Sequence, residues 1–318
     1  MKKYSLLNTL LYSFILSLIM MSCTENAFIT VVDVDTAGHR SKLAVTARFI
    51  KDSPSDKGPQ YIYLTASKGI NDLADIKQVP NAEVTIWEGE QKVDEGIYVD
   101  SIPSLYFTEK KVSGYRMDWE GYQPGHTYTL KVKAEGFEPV SATIVMPDKS
   151  VINSVQYISQ GFTDPDGGEK LDEIVVGMDN LEKGKYYLAE LDYVQFYQNG
   201  TKLDSAVSSE YLQPEGPLYH RTTNGGLLFR GEDILGLSNK EIRLAKGQGP
   251  IDVVHPNNYY QLHLYNITKD QYAFILSVEQ YDNIGENPFV EPVVVYSNIE
   301  NGFGIFSLEY HQTIKIKP

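Results

Sequence analysis

Cys23 is the only cysteine of the 318-residue chain, and its surroundings decide what its thiol can do. Lys2 and Lys3 precede an apolar run over residues 10–21, and Met20-Met21-Ser22 leads directly into the cysteine. A basic start, an apolar stretch and a small residue before Cys form the pattern at which a signal peptide is cut and the new N-terminal thiol is acylated. A membrane-spanning anchor would need about 20 apolar residues in a row, whereas Ser13 and Ser17 interrupt this run. The pattern predicts a signal peptide over residues 1–22, lipid on Cys23 and a short tether over residues 23–27. No thiol is then left for redox or nucleophilic chemistry.

The other chemically suggestive groups are weaker. Asp164, Asp166 and Glu169 gather hard oxygen ligands in the run Asp164-Pro165-Asp166-Gly167-Gly168-Glu169 and could hold calcium. An EF-hand loop needs a ligand at its fifth position and glycine at its sixth, where this run has Gly168 and Glu169. Asp, Pro and Gly also make solvated turns, and that reading is preferred, so no metal is assigned. Six histidines are scattered without H-E-x-x-H spacing, and no G-x-S-x-G nucleophile elbow occurs. Carboxylates are too numerous for any pair to stand out as a glycosidase couple. The expectation is a protein with no catalytic residues and no cofactor.

Aromatic residues are plentiful, with 23 Tyr and 12 Phe, but only Trp87 and Trp119 are tryptophan. A sugar-stacking platform is one reading of that content. Cross-strand packing is the preferred one, because aromatic pairs stabilise sheets by themselves. Neighbours such as Tyr186 and Tyr187 would also point to opposite faces of a strand.

Removing the signal peptide leaves 318 − 22 = 296 residues and, with Lys2 and Lys3 gone, moves the formal charge from −14 to −16. Such acidity argues against nucleic acid and against electrostatic attachment to anionic lipid, since both surfaces repel it. Attachment to a membrane must then be covalent, through lipid on Cys23.

Hydrophobic alternation describes what must position any site. Over residues 28–148 it is β throughout, with strands expected at 42–50, 61–66, 82–87, 128–132 and 140–145. Short strands separated by turn residues imply an immunoglobulin-like or carboxypeptidase-regulatory-like sandwich. Pro147-Asp148-Lys149 marks the expected boundary. Residues 149–318 form a second antiparallel β domain, with strands at 170–178, 185–197, 225–229 and 258–265. One short helix is expected at 269–281, where Thr268 and Gln271 stand at capping-box spacing. Residues 205–221 read as a long polar link, and loops of that length carry binding surfaces or are merely mobile. Within and beside it, Tyr211, Tyr219, His220 and Arg221 are the candidate contacts for a ligand or partner, because aromatic and arginine side chains dominate contact energies.

Near the chain end, residues 293–296 and 303–308 read as two strands joined through Asn301-Gly302, a pair suited to a tight hairpin. The surrounding spacing, N-P-F-x-E-P-V-x-V-x-S-N-I-x-N-G-x-G-I-F over residues 287–306, resembles the C-terminal signature of the domain-of-unknown-function 4249 family, outer-membrane lipoproteins of Bacteroidota. The strands at 80–86 and 125–132 are similar to the same family. That resemblance implies an accessory to a TonB-dependent outer-membrane receptor, acting in ligand capture or gating on the periplasmic or the cell-surface side. A structural or adhesive surface spacer is the alternative. In that setting, Asp35-Thr36-Ala37, Asp100-Ser101-Ile102 and Asp204-Ser205-Ala206 match the acceptor pattern of periplasmic O-glycosylation.

Overall fold

The computed structural model describes residues 40–52, 59–68, 76–103, 111–163, 168–179, 181–199, 202–210, 212–214, 220–235, 241–246, 256–284 and 293–318. The chain is mostly β, as the alternation predicts, and Ser41–Pro318 forms one compact unit. A ten-stranded sheet runs through it. Its main path is β14 (His220–Arg221), β15 (Leu227–Arg230), β11 (Tyr186–Asn199), β17 (Tyr259–Ile267), β18 (Phe303–Ile316), β1 (Leu43–Asp52), β2 (Gln60–Ala66), β6 (Lys111–Met117) and β5 (Ile97–Pro103), with β12 (Lys202–Glu210) also paired to β11. Two four-stranded sheets complete the fold. One has the order β4 (Gln91–Glu95), β3 (Glu83–Glu88), β7 (Thr127–Lys133), β8 (Val140–Val145). The other has β13 (Leu212–Pro214), β16 (Glu241–Lys246), β10 (Lys170–Met178), β9 (Ile152–Thr163).

Side-chain parity shows how these layers stack. Leu43, Val45, Ala47 and Phe49 of β1 meet Val84, Ile86, Leu130 and Val132 of the first small sheet in one buried core. Tyr187, Ala189 and Leu191 of β11 meet Ile174, Val176 and Leu244 of the second small sheet in another. β18 joins both, giving Phe306 and Leu308 to the first core and Ile316 to the second. These three residues share one parity, so both small sheets cover the same face of the large sheet. The boundary expected at 147–149 falls between β8 and β9, while β18 returns to pair in parallel with β1 from Ala44↔Phe303 to Asp52↔His311.

The opposite face carries α2 (Lys269–Ile284), which extends three residues beyond the expected end, whereas α1 (Gly231–Leu235) is a single turn whose Ile234 is buried in the second core. Thr268 caps α2 by accepting from Gln271 N at 3.1 Å. The reciprocal arm of the capping box is not made, because Gln271 Oε1 has no hydrogen-bond partner. Tyr272 packs α2 onto Leu188, Leu228, Tyr265 and Ile267, with Ile275 and Leu276 beside them.

Two expectations need correction. Residues 205–221 are not one link: 205–210 belong to β12, and β13 and β14 lie within the remainder. Lys202–Glu210 is paired to β11 over its whole length, and its backbone hydrogen bonds override the loop-like composition of Ser205, Ser208 and Ser209. The C-terminal hairpin is absent as well, since residues 293–299 form no strand. Tyr296 is drawn instead to α2, where its N–H donates to Ser277 Oγ at 2.9 Å and its hydroxyl to Asp270 Oδ1 at 2.6 Å. The ladder on β18 is replaced by a side chain: Asn298 Nδ2 donates to Phe306 O at 2.8 Å and Phe306 N donates to Asn298 Oδ1 at 2.9 Å. Asn301 does adopt the left-handed conformation, with φ 62. Gly304 has φ +106, and a Cβ there would lie 1.9 Å from Val45 O, so only glycine allows β18 to seat against β1.

Candidate functional site

The open face of the large sheet carries a polar strip beside α2. Along β11, Tyr187, Ala189 and Leu191 are core residues, so Glu190 and Asp192 project to the other side. Along β17, Leu262 and Leu264 are core, which turns His263 and Tyr265 to the same side; the register places Glu190 opposite His263. Ser209 and Glu210 at the end of β12 and Thr223, Asn224 and Gly226 complete a cleft with a volume of about 460 Å³.

Each wall is held from behind. The turn closes through Thr222 N to Gly226 O at 2.9 Å and Gly226 N to Thr222 Oγ1 at 3.0 Å. Thr223 fastens it to α2, its N–H and hydroxyl donating to the two carboxylate oxygens of Glu279 at 2.9 and 2.5 Å. On the floor, Ser209 Oγ donates to Asp192 Oδ1 at 3.0 Å, and Asp192 Oδ2 lies 3.3 Å from His263 Nε2. His263 Nδ1 is 2.9 Å from His311 Nε2. His311 in turn stacks on Tyr265 with ring centres 4.4 Å apart, and the Arg48 guanidinium lies 5.3 Å from the centre of the same Tyr265 ring. Arg48 Nε donates to Glu309 Oε1 at 2.7 Å.

Electrostatics follow from burial. Glu309 is fully buried, while the Arg48 side chain keeps about a third of its surface exposed. Burial works to lower the Arg48 pKa, but the charge and hydrogen bond of Glu309 outweigh it and hold the guanidinium firmly protonated. Burial and then the charge of Glu190 raise the Tyr265 pKa, so this phenol stays neutral and hydrogen-bonds Glu190. The cleft therefore presents carboxylates over a neutral aromatic floor. Ser209 points at Asp192 and not at a ring nitrogen, so the order that activates a serine nucleophile is not formed. What the arrangement can do is accept hydrogen bonds from a ligand rich in donors or positive charge.

A second cavity of about 380 Å³ lies where β8 meets the start of α2. Its polar groups are largely satisfied by one another: Lys185 pairs with Asp148, Asn266 Nδ2 donates to Asp148 O at 2.7 Å, and Asp270 is held by Tyr296. It is a seam of the fold.

The residues singled out in the sequence are placed as follows. Cys23, Tyr211, Tyr219, Asp164 and Asp166 lie outside the described residues. His220 is exposed on β14, with its ring centre 6.4 Å from Tyr272, and does not line the cleft. The Arg221 backbone lies on β14 just before the turn, and its side chain is outside the described set. Glu169 is exposed ahead of β10, and among the described residues no group of three His, Cys, Asp or Glu could hold a metal. Of the three glycosylation matches, Ser101 and Ser205 are exposed on strands and Thr36 lies outside the described residues. The aromatics pack: Trp119 contacts Tyr122 and Tyr128 at 4.5 and 5.6 Å, and Lys131 sits 4.4 Å over Trp87. Tyr187 stacks on Phe229 while Tyr186 contacts Tyr272 on the opposite face.

Sequence reasoning missed Glu190, Asp192, His263 and His311. A signal was present, because Glu190 and Asp192 occupy consecutive same-face positions between apolar residues of a strand. No curated protein matches this sequence. One family model does, over residues 29–313, with the description domain of unknown function (DUF4249). That match spans most of the chain, and the chain belongs to the DUF4249 family.

Proposed function

We propose that this protein is a lipid-anchored, non-enzymatic accessory of a TonB-dependent outer-membrane receptor, which captures a ligand or gates its access. The observation that supports this reading is the cleft. Every described residue lining it comes from the second half of the chain, and its floor is two adjacent strands of a continuous sheet. Rigid strands with a pinned turn at the rim form a preorganised site. Lipid on Cys23 would hold that site at the outer membrane, and the candidate contact residues Tyr211, Tyr219, His220 and Arg221 belong to the same half of the chain. The test is to isolate the lipidated protein from native outer membranes in mild detergent. Recovery of a large β-barrel with it supports the reading; recovery of this chain alone overturns it. A structural or adhesive spacer is the second reading, and the open edge of β12 favours it.

A further inference from the structure

Every other sheet edge among the described residues is blunted. β14 has two residues, and β13 has three and ends at Pro214. β5 contains a register shift between Val99 and Ile102 and ends at Pro103. β4 is opposite a register shift between Ile86 and Trp87 and carries Lys92, Asp94 and Glu95. β8 is bridged where Glu300 N donates to Ser141 O at 2.8 Å. β9 has a register shift opposite Leu171 and Glu173, and Gln160 in the left-handed conformation. Short, bulged, proline-ended or covered strands are how folded proteins avoid pairing with one another.

β12 is neither short, bulged, proline-ended nor covered by another described residue, and its charges stand only at 202, 204 and 210. It runs nine residues in unbroken register with β11, its only partner among the described residues. Residues 203–209 are all exposed, with Val207 at 64% and Leu203 at 47%, and residues 205–209 carry no charge and no proline. Its outer backbone groups are a template for another strand.

The sequence Lys-Leu-Asp-Ser-Ala-Val-Ser-Ser-Glu is complementary to itself. Antiparallel pairing about Ala206 sets position 202, a lysine, opposite position 210, a glutamate, at both ends of the seam. It also sets Asp204 opposite Ser208 and Val207 opposite Ser205. Leu203 and Val207 share a face with Val194 and Phe196, because Val207 pairs with Val194 and Ser205 with Phe196. Across the seam, each Val207 becomes diagonal to Leu203 and Val207 of the other copy, which covers the exposed apolar side chains. Parallel in-register pairing would instead oppose lysine to lysine and glutamate to glutamate. We infer that β12 is a homodimerisation edge, joining two copies of this chain into one continuous sheet through an antiparallel β12–β12 pair centred on Ala206.

The register gives a test that works in intact membranes. Residue 206 faces its own counterpart at a Cα separation of about 4.5–5.5 Å, inside the disulfide range. Ser209 lies about 20 Å from its counterpart, six residues away along the strand. In full-length protein bearing Ala206→Cys, mild oxidation is expected to yield about ten-fold more disulfide dimer than Ser209→Cys or the parent chain, whose only cysteine is the proposed lipid attachment point, Cys23. Adding Lys202→Glu should cut that yield several-fold, and combining it with Glu210→Lys should restore it. Both cysteine positions are exposed, so neither variant threatens folding. Absence of dimer at 206, equal yields at 206 and 209, conjugation to a different protein, or no restoration by the charge swap would each overturn the inference.

Discussion

The carboxamide of Asn298 holds both backbone groups of Phe306, accepting from its N–H at 2.9 Å and donating to its carbonyl at 2.8 Å. One side chain stands in for a whole strand at the edge of β18. The Ser-Asn-Ile-x-Asn-Gly-x-Gly-Ile-Phe run is thus a structural lock: Asn298 satisfies Phe306, Asn301 takes positive φ, and Gly304 clears Val45.

Asn298→Ala should therefore leave two backbone groups of a part-buried strand without partners and destabilise the fold by ~1–3 kcal/mol. Asn298→Asp keeps only the acceptor and should not restore stability. Chemical denaturation of the three proteins checks this, and unchanged midpoints would show that the carboxamide is dispensable.

How much of this was legible depends on where each backbone hydrogen bond goes. The bounds of β8 and β10 match the expected strands residue for residue: β8 buries alternate side chains, and β10 is buried along almost its whole length. β12 escaped notice because residues 203–209 are all exposed, so no buried alternation marks a strand that is held by its backbone pairing to β11. The terminal hairpin looked favourable locally, yet Tyr296 gains two hydrogen bonds on α2, and the parallel β1–β18 pairing joins residues too distant in sequence for any local pattern to reveal. The cleft carboxylates were visible as same-face acids on β11, but nothing local brings His311 to His263.

The Arg48–Glu309 pair should respond asymmetrically. Glu309 is fully buried whereas Arg48 is part-exposed, so Arg48→Met strands a charge with no access to water, while Glu309→Leu leaves one that can rehydrate. Arg48→Met should cost about 3–5 kcal/mol and Glu309→Leu less, with the double variant recovering most of the loss. Equal single losses that simply add would contradict this description.

Alkaline sensitivity follows from the buried phenols. Burial, then the charges of Glu182 and Asp148, pushes Tyr187 up to about 12; burial and the hydrogen bond to Asp270 do the same for Tyr296. In the unfolded chain these groups ionise near pH 10. The native state thus holds their protons longer, so their contribution is complete below pH 10 and is lost as pH rises toward 12. Absorbance titration at alkaline pH should show one set of tyrosines ionising near 10 and a second only with unfolding. A single set would contradict the burial of these side chains.

Cys23→Ala should release the protein from lipid-dependent fractionation, because the thiol is the proposed attachment point. Unchanged flotation with membranes would place the anchor elsewhere.

The central claim is that the cleft makes the functional contact. A photo-crosslinking residue in place of exposed Asn224, on the cleft rim, should capture a ligand or the receptor in living cells. The same residue at exposed Glu135, on the β7–β8 turn, should capture little. Adding Glu190→Gln and Asp192→Asn should reduce capture from position 224 about ten-fold, since hydrogen bonds to charged groups carry about 1.5–3 kcal/mol. Equal capture from positions 224 and 135, or capture untouched by the carboxylate changes, would contradict the assignment of function to the cleft.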